Sequence, residues 1–306
     1  MYESYFGLRE KPFSLVPDPR FLYASRTHKL AFTRLRYGLT DQAGFVVLTG
    51  EVGTGKTTLL RHLIDEADGE TVIGLVTNTH HSFGELMKWI LRTFDIEFRG
   101  TDPIERYDLL VDFLLGVHND GRRAILIVDE AQNLDEEALE QLRMLSNMTS
   151  GAEQLLRLVL VGQPELRTRL RQPHLRQFVQ RISVDHDLQP LDSTETTAYI
   201  RHRLEVAGGD PALIDDEACA AIHYFARGLP RLVNALADLA FVHAFAMDAK
   251  GVVFDTVVGV VEDRQQSEGL MAFTEIQSGQ SREALRQSIL VAAEPTVMQL
   301  DRARGL

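Results

Sequence analysis

Two groups of residues in this chain have the types and spacing that phosphate chemistry requires. The first is the run Gly50-Glu51-Val52-Gly53-Thr54-Gly55-Lys56-Thr57, followed by Thr58, which fits the pattern G-x-x-x-x-G-K-[ST]. Its glycines allow a tight turn whose N–H groups point inward at phosphate oxygens. The helix that follows adds its positive end, and Lys56 neutralises the terminal phosphates. The Thr57 hydroxyl is placed to reach a Mg²⁺ ion. The second group is Asp129-Glu130, delivered by the apolar run Ile125-Leu126-Ile127-Val128. Carboxylates at the carboxyl end of a buried strand lie where α/β sheets bind ligands. Beside such a loop the pair divides its labour, Asp129 holding Mg²⁺ and Glu130 orienting and deprotonating a water. The expectation is ATP with Mg²⁺, and its hydrolysis.

Other residues could complete that site. Leu155 to Val161 reads as a strand ending in Gly162-Gln163-Pro164, so the Gln163 amide would stand near the carboxylates if the strands are neighbours. Asn78 ends another strand and could hold Glu130 in an inactive pose. Pro230 and Arg231 open a helix, where a cation opposes the dipole by roughly 0.3–1 kcal/mol unless an anion lies nearby. Five arginines fall at positions 167, 169, 171, 176 and 181. One of them could enter a neighbouring subunit's site, Arg181 first and Arg176 second. Asp135, Glu136 and Glu137 are explained by the first turn of a helix, and the histidines form no metal pattern.

The elements that must carry these groups follow from periodicity. Strands at 45–49, 71–76, 124–128, 155–161 and 182–187 alternate with helices at 27–39, from the glycine loop to about 67, 83–94, 104–118 and 135–148. That order implies an α/β fold, a parallel sheet with helices on both faces. From Leu191 the patterns are helical alone: a helix to about Val206, one from Asp215 or Asp216 to Arg227, and one from Pro230 to about Met247. The expected organisation is an N-terminal aromatic and proline-rich segment (1–26), an αβα core (27–190), a small all-helical lid (191–264) and a tail (265–306). Within the tail only 281–293 reads as helical.

The 306 residues, 44% hydrophobic with a formal net charge of −12, suit a globular protein and oppose non-specific binding to nucleic acid or anionic lipid. No stretch approaches the roughly 20 apolar residues of a membrane span, and the start has no signal-peptide pattern. The single cysteine, Cys219, fits a reducing compartment. A cytoplasmic place is expected, with association at the inner membrane through a partner left open.

Taken in order, Gly50 to Thr57, Asp129-Glu130-Ala131-Gln132, Gly162-Gln163-Pro164-Glu165-Leu166, Gln180-Arg181-Ile182 and Gly228-Leu229-Pro230-Arg231 resemble the ExeA/GspA-like AAA+ ATPases. The opening, Tyr5-Phe6-Gly7-Leu8, Lys11-Pro12-Phe13 and Pro17-Asp18-Pro19, is similar to that family as well. The resemblance implies an AAA+ P-loop core with a helical lid and nucleotide at their junction. It also implies homo-oligomers in which one subunit completes its neighbour's site. By that analogy Gln163 takes the sensor-one place, Arg231 the sensor-two place, and Leu8 to Phe13 lies near the adenine. Family members assist assembly of secretion pores, pili or polysaccharide exporters; the protein client here is unknown. Two other readings stay open, a DNA-associated ATPase like the transposition regulators, disfavoured by charge, and a slow signalling switch.

Overall fold

The computed structural model describes all residues except 17, 41–43, 78–84, 101, 152, 268–272, 278 and 294–306. The chain forms two compact units: Arg26–Glu51 with Lys56–Leu188, and Met1–Ser25 with Val52–Gly55 and Gln189–Leu306.

The larger unit contains a five-stranded sheet of β1 (Phe45–Gly50), β2 (Thr71–Val76), β3 (Arg123–Val128), β6 (Leu156–Gly162) and β7 (Ile182–Leu188). Its order is β2-β3-β6-β1-β7 and every pairing is parallel. The inner strands β3, β6 and β1 are near-continuous apolar runs because both faces are covered, whereas the edge strand β7 alternates apolar and polar residues. Phe45, Val47, Leu126, Val128, Leu158 and Leu160 face one core, shared with α3 (Leu86–Thr93), α4 (Pro103–Asn119), α5 (Glu136–Leu145) and α6 (Pro164–Leu170). Val46, Leu48, Ile125, Ile127, Val159 and Val161 face the other, under α1 (Arg26–Thr40) and α2 (Lys56–Asp65). This is the αβα arrangement expected from the alternation of strands and helices.

Several boundaries differ from the periodicity. The third helix begins at Leu86 among the described residues. The helix expected over 135–148 ends at Leu145, and it buries Leu139, Leu142 and Leu145 while Ala138 is only half-buried. Asp135 is its N-cap, accepting from the Ala138 N–H at 2.7 Å. Behind it a short hairpin, β4 (Thr149–Ser150) with β5 (Glu153–Gln154), had no periodic signal to announce it. The arginine-rich stretch resolves into α6 and α7 (Arg176–Val179), joined through a turn at Pro173–Leu175. At the β2 edge, the Thr93 hydroxyl bonds both the N–H (2.8 Å) and the carbonyl (3.1 Å) of Leu75, and the Thr71 N–H bonds the Asp68 carbonyl.

The second unit is helical: α8 (Ser193–Val206), α9 (Asp216–Ala226), α10 (Pro230–Ala246), α11 (Phe254–Gln266) and α12 (Arg282–Ala293). Asp192 and Glu195 form a capping box on α8, and Asp215 caps α9 through the Ala218 N–H at 2.7 Å. α9 ends with Arg227 and Gly228 both left-handed; a Cβ on Gly228 would lie 2.0 Å from the Leu191 carbonyl oxygen. The periodic reading passed over α11, although it buries Val257, Val258, Val260 and Val261. The tail helix α12 packs Leu285 and Ile289 into the same core, and Arg282 reaches Asp255 (3.0 Å) and Glu262 (2.7 Å).

The N-terminal segment is part of this core. Tyr2, Phe6, Leu8, Phe13 and Phe21 are buried in it, with Tyr2 stacked on Phe241. Polar contacts fix its path: the Tyr2 hydroxyl donates to Asp238 at 2.7 Å, and Lys11 pairs with the same carboxylate at 2.8 Å. Arg203, buried on α8, donates to the Pro12 carbonyl (2.5 Å) and the Tyr199 hydroxyl (2.9 Å), with its guanidinium 4.7 Å from the Phe21 ring. Arg203→Ala removes three hydrogen bonds, the third a long one to the Ser14 carbonyl (3.5 Å), and cation–π contacts with Phe21 and Tyr199. It should cost about 2–4 kcal/mol and speed hydrogen exchange across residues 1–25 more than elsewhere, as read by mass spectrometry.

Candidate nucleotide site

β1 ends at Gly50 and α2 starts at Lys56, so the glycine loop occupies the turn between them. Gly53 (φ 85°) and Gly55 (φ 100°) are left-handed, the conformation that reserves these positions for glycine. The Gly53 carbonyl accepts from the Arg231 N–H at 3.2 Å, and a Cβ on Gly53 would stand 2.7 Å from the Arg231 Cβ. Gly53→Ala should therefore lower stability by about 1–3 kcal/mol, strain and clash combined, and weaken nucleotide binding; urea unfolding and a nucleotide titration read the two effects. Arg231 is otherwise exposed in the first turn of α10, following the half-buried Pro230 at its first position.

Lys56 is buried, and its ammonium donates to the carbonyls of Gly50 (2.7 Å) and Glu51 (2.9 Å). Burial holds its pKa below the ordinary lysine range, against the opposing pull of Glu130, Asp129 and Glu51. Thr54 is fully buried, Thr58 half-buried, and Val52 exposed at the loop's tip. Thr49, just before the loop, donates to Asp187 on the neighbouring strand at 2.8 Å and steadies its root.

The Thr57 hydroxyl lies 3.5 Å from Asp129 Oδ2, while Asp129 Oδ1 accepts the Glu130 N–H at 2.9 Å. Burial raises the Asp129 pKa and Glu130 adds to that, with Lys56 and the hydrogen bonds opposing. A hydroxyl and a carboxylate make the sparse set of hard oxygen donors with which proteins hold Mg²⁺, the rest coming from phosphates and water.

Glu130 has left-handed backbone angles (φ 52°, ψ 36°), a conformation costing a non-glycine residue about 1–2 kcal/mol. Two amides converge on its Oε2: Gln132 Nε2 at 2.5 Å and Gln163 Nε2 at 3.2 Å. The Gln163 backbone N–H in turn donates to Gln132 Oε1 at 3.0 Å, closing a triangle of the three residues. The register Val128↔Leu160 makes β3 and β6 neighbours, which is what brings Gln163 to Glu130. Gln132 was not singled out by the spacing, although it stands only two residues after Glu130.

The remaining residues lie elsewhere. Asn78 falls outside the described residues. Arg176 is exposed at the start of α7. Arg181 donates to the Ser146 hydroxyl at 3.3 Å and precedes β7, at the end of the sheet opposite to the carboxyl ends where Gly50 and Asp129 stand. Leu8 and Phe13 are buried in the helical core. On α1, Arg34 contacts His186 at 2.9 Å and Arg36 lies 3.8 Å from Glu66. Among the described residues no group of three or more His, Cys, Asp or Glu side chains could hold a metal by itself, and no helix is long and apolar enough to cross a membrane.

A parallel sheet of this order with the glycine loop after β1 defines an AAA+ P-loop protein. Solved structures agree on the fold: Cdc6p from Pyrobaculum aerophilum superposes with a TM-score of 0.61 at 17% identity, covering 90% of this chain and 73% of that one. The Aeropyrum pernix ORC2 protein gives 0.59 at 17% identity, covering 97% and 82%. Residues 39–170 match the AAA domain family. The chain is 42% identical over 254 residues to General secretion pathway protein A of Aeromonas hydrophila, an alignment covering 83% of this chain and 46% of the relative. Over that shared part the chain belongs to the ExeA/GspA-like AAA+ ATPases; it spans about half the length of the relative.

Proposed function

We propose that the chain binds ATP with Mg²⁺ at Gly50–Thr58, hydrolyses it, and uses the cycle to assemble on a protein complex of envelope secretion or a related export system. The observation that carries this reading is the Glu130–Gln132–Gln163 triangle beside the Thr57–Asp129 pair. In it, Lys56 turns from its own loop's carbonyls to the terminal phosphates, and Thr57 and Asp129 hold Mg²⁺, which supplies charge neutralisation when bound. Glu130, fixed by two amides on one carboxylate oxygen, accepts a proton from water as the water oxygen bonds to the γ-phosphorus and the bond to the β,γ-bridging oxygen breaks. Gln163 senses the γ-phosphate through the same amide. Arg231, whose N–H bonds the Gly53 carbonyl of the glycine loop, contacts the phosphates. Arg181, or Arg176, completes the site of a neighbouring copy in a homo-oligomer.

The secretion assignment takes its support from the relative's name and from the 42% identity; the place of work is the cytoplasmic side, at the inner membrane through a partner. The test is the light-scattering mass of Glu130→Gln with and without ATP·Mg²⁺. A several-fold mass increase with ATP supports assembly and the arginine in trans. A monomer with ATP bound would remove both and leave a solitary switch.

A further inference from the structure

At the other end of the sheet a cavity of about 330 Å³ opens beside the first residues of β3 and β6, at the lower limit of the 300–1,000 Å³ typical of small-molecule sites. His118, Arg122, Arg123, Glu153, Gln154 and Arg157 line it. Arg157 pairs across the strands with Ile125, so Arg123, two residues before Ile125, projects from the same face of the sheet. Two arginines on one face of the sheet thus line the same partly enclosed space.

Their surroundings do not neutralise them equally. Arg123 bonds Asp68 at 3.1 Å, and Glu153 leans toward His118 at 3.7 Å. Arg157 is half-buried, and among the described residues no carboxylate lies within ion-pair distance of it. Burial and the charge of Arg123 lower its pKa, which Glu153 only partly offsets. Two buried atoms here have no hydrogen-bond partner, Arg157 Nε, a donor, and Gln154 Oε1, an acceptor. Buried polar groups are normally paired, and a half-buried cation is costly without an anion.

We propose that this cavity is a second ligand site, separate from the glycine loop, for a small anion bearing carboxylate or phosphate together with a hydroxyl or amino donor. The anionic group binds Arg157 and Arg123, a pairing that guanidinium geometry favours, and the donor satisfies Gln154. The ligand would straddle the first residues of β3 and β6, whose far ends carry Asp129, Glu130 and Gln163.

The test is isothermal titration with citrate, a tricarboxylate carrying a hydroxyl, and with pyrophosphate. Both are run at low salt without Mg²⁺ on Lys56→Ala protein, so that the phosphate loop is weakened, and then on the same protein with Arg157→Gln added. One-to-one binding of either probe, weakened about ten- to a hundredfold by Arg157→Gln, is expected; the tighter probe tells carboxylate from phosphate. Binding that Arg157→Gln leaves unchanged, or no binding of either probe at millimolar concentration, overturns the proposal. Should Arg157→Gln fail to fold, Arg123→Gln, on the partly exposed edge, must show the same weakening. Arg157→Gln alone should keep ATP binding at the glycine loop, so the outcome is independent of the proposed ATPase cycle.

Discussion

Glu130→Gln should lower steady-state ATP turnover by about 10²- to 10⁴-fold, the usual worth of a positioned general base, with ATP affinity changed only a few-fold. The substitution keeps the side chain's length and one oxygen, which in the place of Oε2 can still accept both amides. What it removes is the second oxygen's ability to take a proton. The prediction is sharper than for an exposed glutamate because Gln132 and Gln163 both hold Oε2, and the left-handed backbone at Glu130 fixes where the side chain starts. Turnover measured by phosphate release, beside affinity from a fluorescent nucleotide, separates the two effects. A parallel loss of affinity and turnover would mean that Glu130 builds the binding pocket and does not serve as the base.

Lys56→Ala should weaken ATP binding by about 10- to 100-fold, the equivalent of one charge-assisted contact of about 1.5–3 kcal/mol. Its effect on the protein without nucleotide should be small, because two changes oppose each other. A cation that burial disfavours is removed, while the carbonyls of Gly50 and Glu51 lose their donor. The measurement is a thermal melt: Tm near wild type in buffer, with the rise that ATP·Mg²⁺ gives wild type largely lost. A large fall of Tm in buffer would assign Lys56 a mainly structural task.

The sheet was legible in the sequence because each central strand is buried on both faces, so it is written as an unbroken apolar run ending in a turn signal. The inner strands were placed to within about one residue, and the half-buried edge strand Thr71–Val76, an apolar run as well, to the residue. Elements whose burial is one-sided or brief were harder to read. α11 has valines in adjacent pairs rather than a clean stripe, and β4–β5 is two residues long on each side. In the site, Asp129 and Glu130 could be placed by the strand that delivers them, and Gln163 by its neighbour. Gln132 could not, since its part depends on a single 3-10 turn, Ala131–Asn133, folding its amide back toward Glu130 and Gln163, thirty-one positions on in the chain. The burial of Tyr2, Phe6, Phe13 and Phe21 in the helical unit was equally hidden, because a segment without period does not say which core it joins.

The hydroxyl of Thr93 on the Leu75 backbone bears on how copies of this chain can meet. An outer strand with open N–H and carbonyl groups invites a stranger's strand to zip alongside, which is the route to fibres and to exchanged segments. Here a side chain has taken that seat at Leu75, and the Asp68 turn has taken the Thr71 N–H. Sheet growth is discouraged at this margin, so a second copy would have to meet this edge through side-chain surfaces rather than by adding a strand.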